Sequence, residues 1–137
     1  MARDLTVIIV DDSQLALEQL RTLVDRVEGV ELVAWAVNGA SAIRSVAHFK
    51  PDLVLMDVVM PEMDGLSSLR LICATHPRTR VAMVSSVAGL GRNAEEAFRL
   101  GAIQVIAKPY EAEQIEILLE RERELYRKLD ADQAAAS

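Results

Sequence analysis

The chain holds a single cysteine, Cys73, among 137 residues, so an internal disulfide is excluded and the fold rests on its apolar core. Cys73 lies within a helical apolar pattern, the setting of a packed thiol rather than a reactive one. Basic charge is also scarce: 15 Lys and Arg face 21 Asp and Glu, a formal net charge of -6. That balance argues against direct nucleic-acid binding, which needs clustered cations to meet phosphates, and favours a protein partner. No apolar run has the length of a membrane span or a signal peptide, and Met1 to Asp4 lead straight into the first short run. A cytoplasmic protein with no membrane partner is expected. Histidine occurs only as His48 and His76, both in helix-end or loop contexts where surface positions are expected.

What is present is a regular alternation. The hydrophobic content of 51% with 26% charged residues suits one domain, expected to cover residues 1–129. Short β-branched runs at 5–10, 31–37, 53–56, 81–84 and 103–107 predict strands covered on both faces. Between them, apolar residues recur at helical spacing over 13–27, 40–49, 66–73 and 93–100, and a last helix begins near Ala112. Ser13 offers a capping hydroxyl, Asp64 with Gly65 reads as a turn pair, and Gly29 and Gly101 stop helices. Strict alternation of this kind predicts an α/β fold: a five-stranded parallel sheet, doubly wound as (βα)5 with right-handed crossovers.

Four ionisable residues stand at the ends of separate apolar runs: Asp11 and Asp12 after VIIV, Asp57 after LVLM, and Lys108 after VIA. In an open parallel sheet these ends share one edge, and a ligand site lies where the strand order switches. Gathered carboxylates oppose one another's ionisation unless a cation relieves the repulsion. Oxygen-only ligands, with no His or Cys nearby, point to Mg2+, which retains water and accepts phosphate oxygens. Phosphoryl transfer is the chemistry that follows.

VIIVDDS, LVLMDVVMPEMDGL, AMVSS, LGA and the pair Lys108–Pro109, in that order and at βα spacing, resemble the receiver domain of two-component response regulators, of the stand-alone chemotaxis-regulator type, from Leu5 to about Leu119. The resemblance implies a flavodoxin-like receiver fold and a phosphorylation-activated switch. Asp57 would accept a phosphoryl group from a partner histidine kinase or phosphotransfer protein. Asp11, Asp12, Asp57 and the backbone carbonyl of Val59 would hold Mg2+, Lys108 would pair with the phosphoryl group, and Ser85 would donate its hydroxyl to it. The peptide before Pro109 is expected to be cis on the same ground. Protein-protein binding to a downstream target would then change. Ordinary enzymatic activity is not expected, beyond self-phosphorylation from a phosphodonor and slow autodephosphorylation.

Two features depart from the usual receiver pattern. Val105 stands where most relatives place an aromatic switch residue. Val59 and Val87 are apolar where side chains flank the approach of hydrolytic water, which predicts a long-lived phosphorylated state. An asparagine at position 59 is expected to speed dephosphorylation, measured as the decay of phosphorylated mass. The last helix, with ERERE at 120–124, has the pattern of a solvated charged face; its apolar members Ile115, Leu118, Leu125 and Leu129, with Glu122 interrupting, offer a homodimer contact as an alternative. Residues 130–137 are expected to be a disordered tail. Two other functions compete: the receiver portion of a larger regulator with a DNA-binding or methylesterase output, and a metal-dependent phosphohydrolase, which would need an acid where Val59 stands.

Overall fold

A computed structural model describes residues 3–58, 64–86 and 93–136. Its elements alternate as β1 (Leu5–Val10), α1 (Gln14–Arg26), β2 (Val30–Ala36), α2 (Gly39–Phe49), β3 (Leu53–Met56), α3 (Gly65–Thr75), β4 (Arg80–Ser86), α4 (Asn93–Leu100), β5 (Gln104–Lys108) and α5 (Ala112–Ala136). The five strands form one sheet in the order β2-β1-β3-β4-β5, and every neighbouring pair is parallel.

The continuous apolar runs make sense because both faces of the sheet are covered. Alternate residues of a strand point to opposite faces. Leu5, Val7, Ile9, Leu53, Leu55, Ala82, Val84 and Ile106 accordingly join one core with Leu20 and Val24 of α1 and Ile115 and Leu119 of α5. Ile8, Val10, Val54, Met56, Val81 and Met83 join the other with Ala42 and Val46 of α2, Leu69 and Ile72 of α3, and Ala97 of α4.

Local signals act as the sequence suggests at several ends. Ser13 caps α1 by accepting from the Ala16 N–H at 3.2 Å; Asn38, not singled out in the sequence, caps α2 by accepting from the Ser41 N–H at 2.8 Å. Gly29 and Gly101 have φ of 82° and 120°, the left-handed region that glycine enters without a Cβ penalty. The Lys108–Pro109 peptide is cis. Asp64 is more than half of a turn: it is the N-cap of α3, accepting from Ser67 at 2.8 Å, and Gly65 opens the helix.

Two strands run further toward the site than their apolar runs imply. Pairing of Ser85 with Ala107 and of Ser86 with Lys108 extends β4 and β5, because ladder hydrogen bonds do not depend on side-chain polarity. At the C-terminus, helix α5 is drawn to Ala136. Alanine-rich sequence without Gly or Pro favours continuation, and Asp130 is tied to Arg3 Nε at 3.2 Å.

Glu122 also proves not to break the buried stripe of α5. It is 4% exposed and takes two hydrogen bonds from Arg80, at 2.6 and 3.1 Å. Tyr126, one turn on, is buried with its hydroxyl against the carbonyls of Asp52 and Arg78. Burial pushes the phenol up to about 12. An unfolded tyrosine titrates near 10, so the stabilisation from this protonated phenol is complete below about pH 10 and is lost as pH rises toward 12. Urea midpoints measured across that window are expected to fall in the wild type and to fall much less in Tyr126→Phe, a difference of roughly 2–3 kcal/mol.

Candidate functional site

The chain passes from β1 outward to β2, then returns across β1 to β3, so the strand order reverses between β1 and β3. Asp11 and Asp12 follow β1 and Asp57 follows β3, one on each side of that crevice. Sheet bonding carries into them: the Asp57 N–H donates to Val10 O at 3.0 Å and the Asp11 N–H to Ala36 O at 3.1 Å. The backbone of the cluster is therefore as fixed as the sheet itself.

Asp11, Asp12 and Asp57 each bring a carboxylate oxygen to within 4.8 Å of the others. Asp11 and Asp57 are 2% and 8% exposed, while Asp12 faces solvent. From the end of β4, the buried Ser85 hydroxyl donates to Asp57 Oδ1 at 2.6 Å. From the end of β5, Lys108 Nζ reaches Asp11 Oδ2 at 2.6 Å and Asp57 Oδ2 at 3.4 Å. Five of the six residues singled out in the sequence thus share one acidic hollow. The sixth, Val59, lies outside the described residues, as do Pro61, Val87 and the glycines at 89 and 91.

Electrostatics explain the choice of partner by Lys108. Burial pushes the Asp11 carboxyl above its ordinary range, against the opposing pull of the Lys108 hydrogen bond and of the Ser13 N–H. For Lys108, burial works against the charged amine, yet the hydrogen bond to Asp11 and the charges of Asp11 and Asp57 outweigh it and hold the amine above its usual value. We regard the ammonium as firmly charged, since two carboxylates contact it. It compensates acidic charge that a divalent cation would compensate more fully. The donor set fits such a cation: oxygen atoms from three carboxylates, with no His or Cys in the group.

One site residue went unrecognised in the sequence. A Cβ on Gly65 would stand 2.2 Å from the Asp57 carbonyl oxygen and 2.7 Å from Val58 Cα. The Gly65 N–H also donates to Val58 O at 2.8 Å. The first turn of α3 therefore presses directly on the peptide that carries Asp57, and only glycine fits there. The Asp64–Gly65 pair was legible as a turn; the close approach was not, because it depends on the packing of α3 against β3.

His48, against Phe49 with ring centroids 4.7 Å apart, and His76, at the end of α3, take no part in the cluster. Burial raises the Cys73 thiol, as expected of a packed side chain. Val105 packs partly buried against the core shared with α2, α3 and α4. No helix among the described residues is long and apolar enough to cross a membrane.

Comparison with known proteins places this hollow in context. Residues 7–120 match the family described as response regulator receiver domain. The chemotaxis protein CheY of Listeria monocytogenes is 36% identical over 117 residues, covering 85% of this chain and 97% of that protein. A protein-glutamate methylesterase/protein-glutamine glutaminase of Myxococcus xanthus is 38% identical over 103 residues, which is 75% of this chain but 30% of the relative. Among solved structures, the response regulator domain of Thermotoga maritima CheB superposes with a TM-score of 0.78 at 33% identity, covering 89% of this chain and 96% of that one. With its acidic hollow at the switch in strand order and a matching segment of 114 residues (7–120), the chain belongs to the receiver domains of response regulators, the phosphorylation-activated switches of two-component signalling.

Proposed function

We propose that Asp57 is the phosphoryl acceptor of this switch and that a histidine kinase or phosphotransfer protein is its donor. The observation that carries this reading is the single carboxylate flanked at once by a hydroxyl at 2.6 Å, an ammonium at 3.4 Å and two further carboxylates. An Asp57 oxygen attacks the phosphorus of a phosphohistidine; the P–N bond breaks, its electron pair leaves on the imidazole, which takes a proton, and an acyl phosphate remains. Lys108 and Ser85 already reach the two Asp57 oxygens and are placed to follow the charge onto the phosphoryl group. Asp11 and Asp12, with Asp57 and the Val59 carbonyl, would hold Mg2+, which when bound neutralises the gathered charge and orients phosphoryl oxygens.

Phosphorylation adds roughly -1.5 to -2 charge to the hollow. It competes with Asp11 for Lys108, so the ion pair at 2.6 Å is the contact expected to open. The resulting shift in conformation would change binding to a downstream protein, in the cytoplasm. The chain catalyses its own modification and no other turnover in this reading. Incubating the protein with acetyl phosphate and Mg2+ tests it: the expected result is a gain of one phosphoryl group by mass, and an unmodified protein under every phosphodonor overturns it.

The charge balance gives a second check. In Lys108→Ala, Asp11 and Asp57 lose the cation that both contact, so Mg2+ should stabilise the variant more than the wild type. Without Mg2+ the variant is expected to be about 1–3 kcal/mol less stable, since the lysine is partly exposed and its loss is softened by solvent. Urea midpoints with and without Mg2+ read both effects.

A second reading has one observation in its favour. The chain spans 30% of the Myxococcus methylesterase relative, whose receiver is one part of a longer protein. A methylesterase or other output, including a DNA-binding one, would then receive the signal within one polypeptide. The gene sequence beyond Ser137 decides between a binding partner and a covalently attached output. The phosphohydrolase alternative has no support in the site, which carries no acid at position 59.

A further inference from the structure

Helix α5 is 25 residues long, roughly 37 Å at about 1.5 Å per residue, and the receiver match ends at residue 120. Beyond that point its side chains reach the sheet edge where the strands begin, opposite the acidic hollow. Glu122 holds Arg80 at the start of β4. Arg123 Nη1 donates to Glu28 O at 2.6 Å, and its side chain lies over Gly29, where a Cβ would meet it at 2.8 Å. The Tyr126 hydroxyl meets the carbonyls of Asp52 and Arg78 in the connections before β3 and β4. Asp130 holds Arg3 Nε, and the same guanidinium forks onto Asp52 at 2.5 and 3.0 Å and lies 5.9 Å from the centre of the Tyr126 ring.

Glu122, Tyr126 and Asp130 recur every fourth residue, so they form one stripe of the helix. That stripe is polar, which is why it escapes an apolar periodicity. Its contacts are specific: a two-point guanidinium–carboxylate pair at Glu122, the Tyr126 phenol donating toward two backbone carbonyls, and an ion pair from Asp130 to Arg3. The opposite face carries the exposed Arg121, Glu124, Arg127 and Lys128. We infer that residues 121–130 dock on this chain's own strand-start edge as a fixed brace, so that this part of α5 keeps its place when the opposite edge is phosphorylated and its inner stripe is closed to a second copy.

The physical ground is the number of anchors on separate elements. The residues leading into β1, the α1–β2 turn, the α2–β3 connection and β4 are each held by a different residue of the brace. A movement of the helix end would break several charge-assisted bonds together, whereas opening the Lys108–Asp11 pair at the other edge breaks one. The part of the inference about phosphorylation rests on Asp57 as acceptor; the docking itself does not.

Hydrogen exchange of the full chain, read by mass in peptides covering 120–136, tests both parts. In the unphosphorylated wild type these amides are expected to exchange about tenfold more slowly than in Tyr126→Ala, and several-fold more slowly than in Tyr126→Phe, which keeps the ring and removes the hydroxyl. Equal exchange in wild type and Tyr126→Phe overturns the docking, and remains measurable if Tyr126→Ala does not fold. After acetyl phosphate and Mg2+, with modification verified by mass, exchange in the same peptides is expected to change less than about twofold. A change of about tenfold on phosphorylation overturns the fixed character of the brace. Failure of Asp57 as acceptor shows separately, as absence of the mass gain.

Discussion

Asp57→Asn is expected to remain folded and to gain no phosphoryl mass from acetyl phosphate and Mg2+, under conditions that modify the wild type fully. The loss is expected to be complete rather than graded, because an amide oxygen at this position lacks the negative charge that makes the carboxylate a nucleophile. Asp11 and Asp12 do not replace it. Asp11 is bonded to Lys108 at 2.6 Å and accepts from the Ser13 N–H at 2.9 Å, so its oxygens are already engaged, and Asp12 lies toward solvent. The folded state tolerates the change, since Ser85 donates to Oδ1 and an amide oxygen accepts that bond as well. Mass and circular dichroism measured on one sample separate the two effects. A variant that is still phosphorylated to the wild-type extent would move the acceptor elsewhere and remove the central assignment.

Gly65→Ala is the second substitution with a large expected effect, and it acts on the same residue through the backbone. The added methyl would stand 2.2 Å from the Asp57 carbonyl oxygen and 2.9 Å from that of Val58, so backbone must move. Neither neighbour is a flexible side chain that yields cheaply. Overpacking of this kind costs roughly 1–3 kcal/mol or more, against which the better helix propensity of alanine returns about 1 kcal/mol. The expected outcome is a clear fall in the urea midpoint together with at least a tenfold slower phosphorylation, because the displaced peptide is the one that aims the acceptor. An alanine variant with wild-type rate and stability would show that α3 adapts without disturbing Asp57.

These two predictions draw on different kinds of information. Asp57 was legible in the sequence, since an apolar run ending in an acid, set among similar runs, predicts a strand and its C-terminal edge. Gly65 was visible only as part of a turn. Nothing in one dimension says which backbone passes within contact distance of a glycine. The same holds for Lys108, expected from the family resemblance to meet a phosphoryl group and found at 2.6 Å from Asp11, a partner that only the folded chain brings to it.

The α5 helix marks the boundary most sharply. Its first half follows the apolar pattern, with Ile115 and Leu119 buried as expected. Beyond residue 120 the buried positions are Glu122 and Tyr126, which a hydropathy pattern reads as an interruption. Their burial depends on Arg80, Arg78 and Asp52, residues more than forty positions away in the chain.

The amino-acid order alone determined the alternation of strands and helices, the parallel sheet and the convergence of acids at one edge, because hydrophobic periodicity and strand-end position are local properties of the chain. The tertiary structure alone decided which partner each charged group takes, where glycine is obligatory, and which residues of α5 beyond 120 are buried. Those outcomes depend on distances between residues remote in sequence, and such distances exist only once the two cores have closed on the sheet.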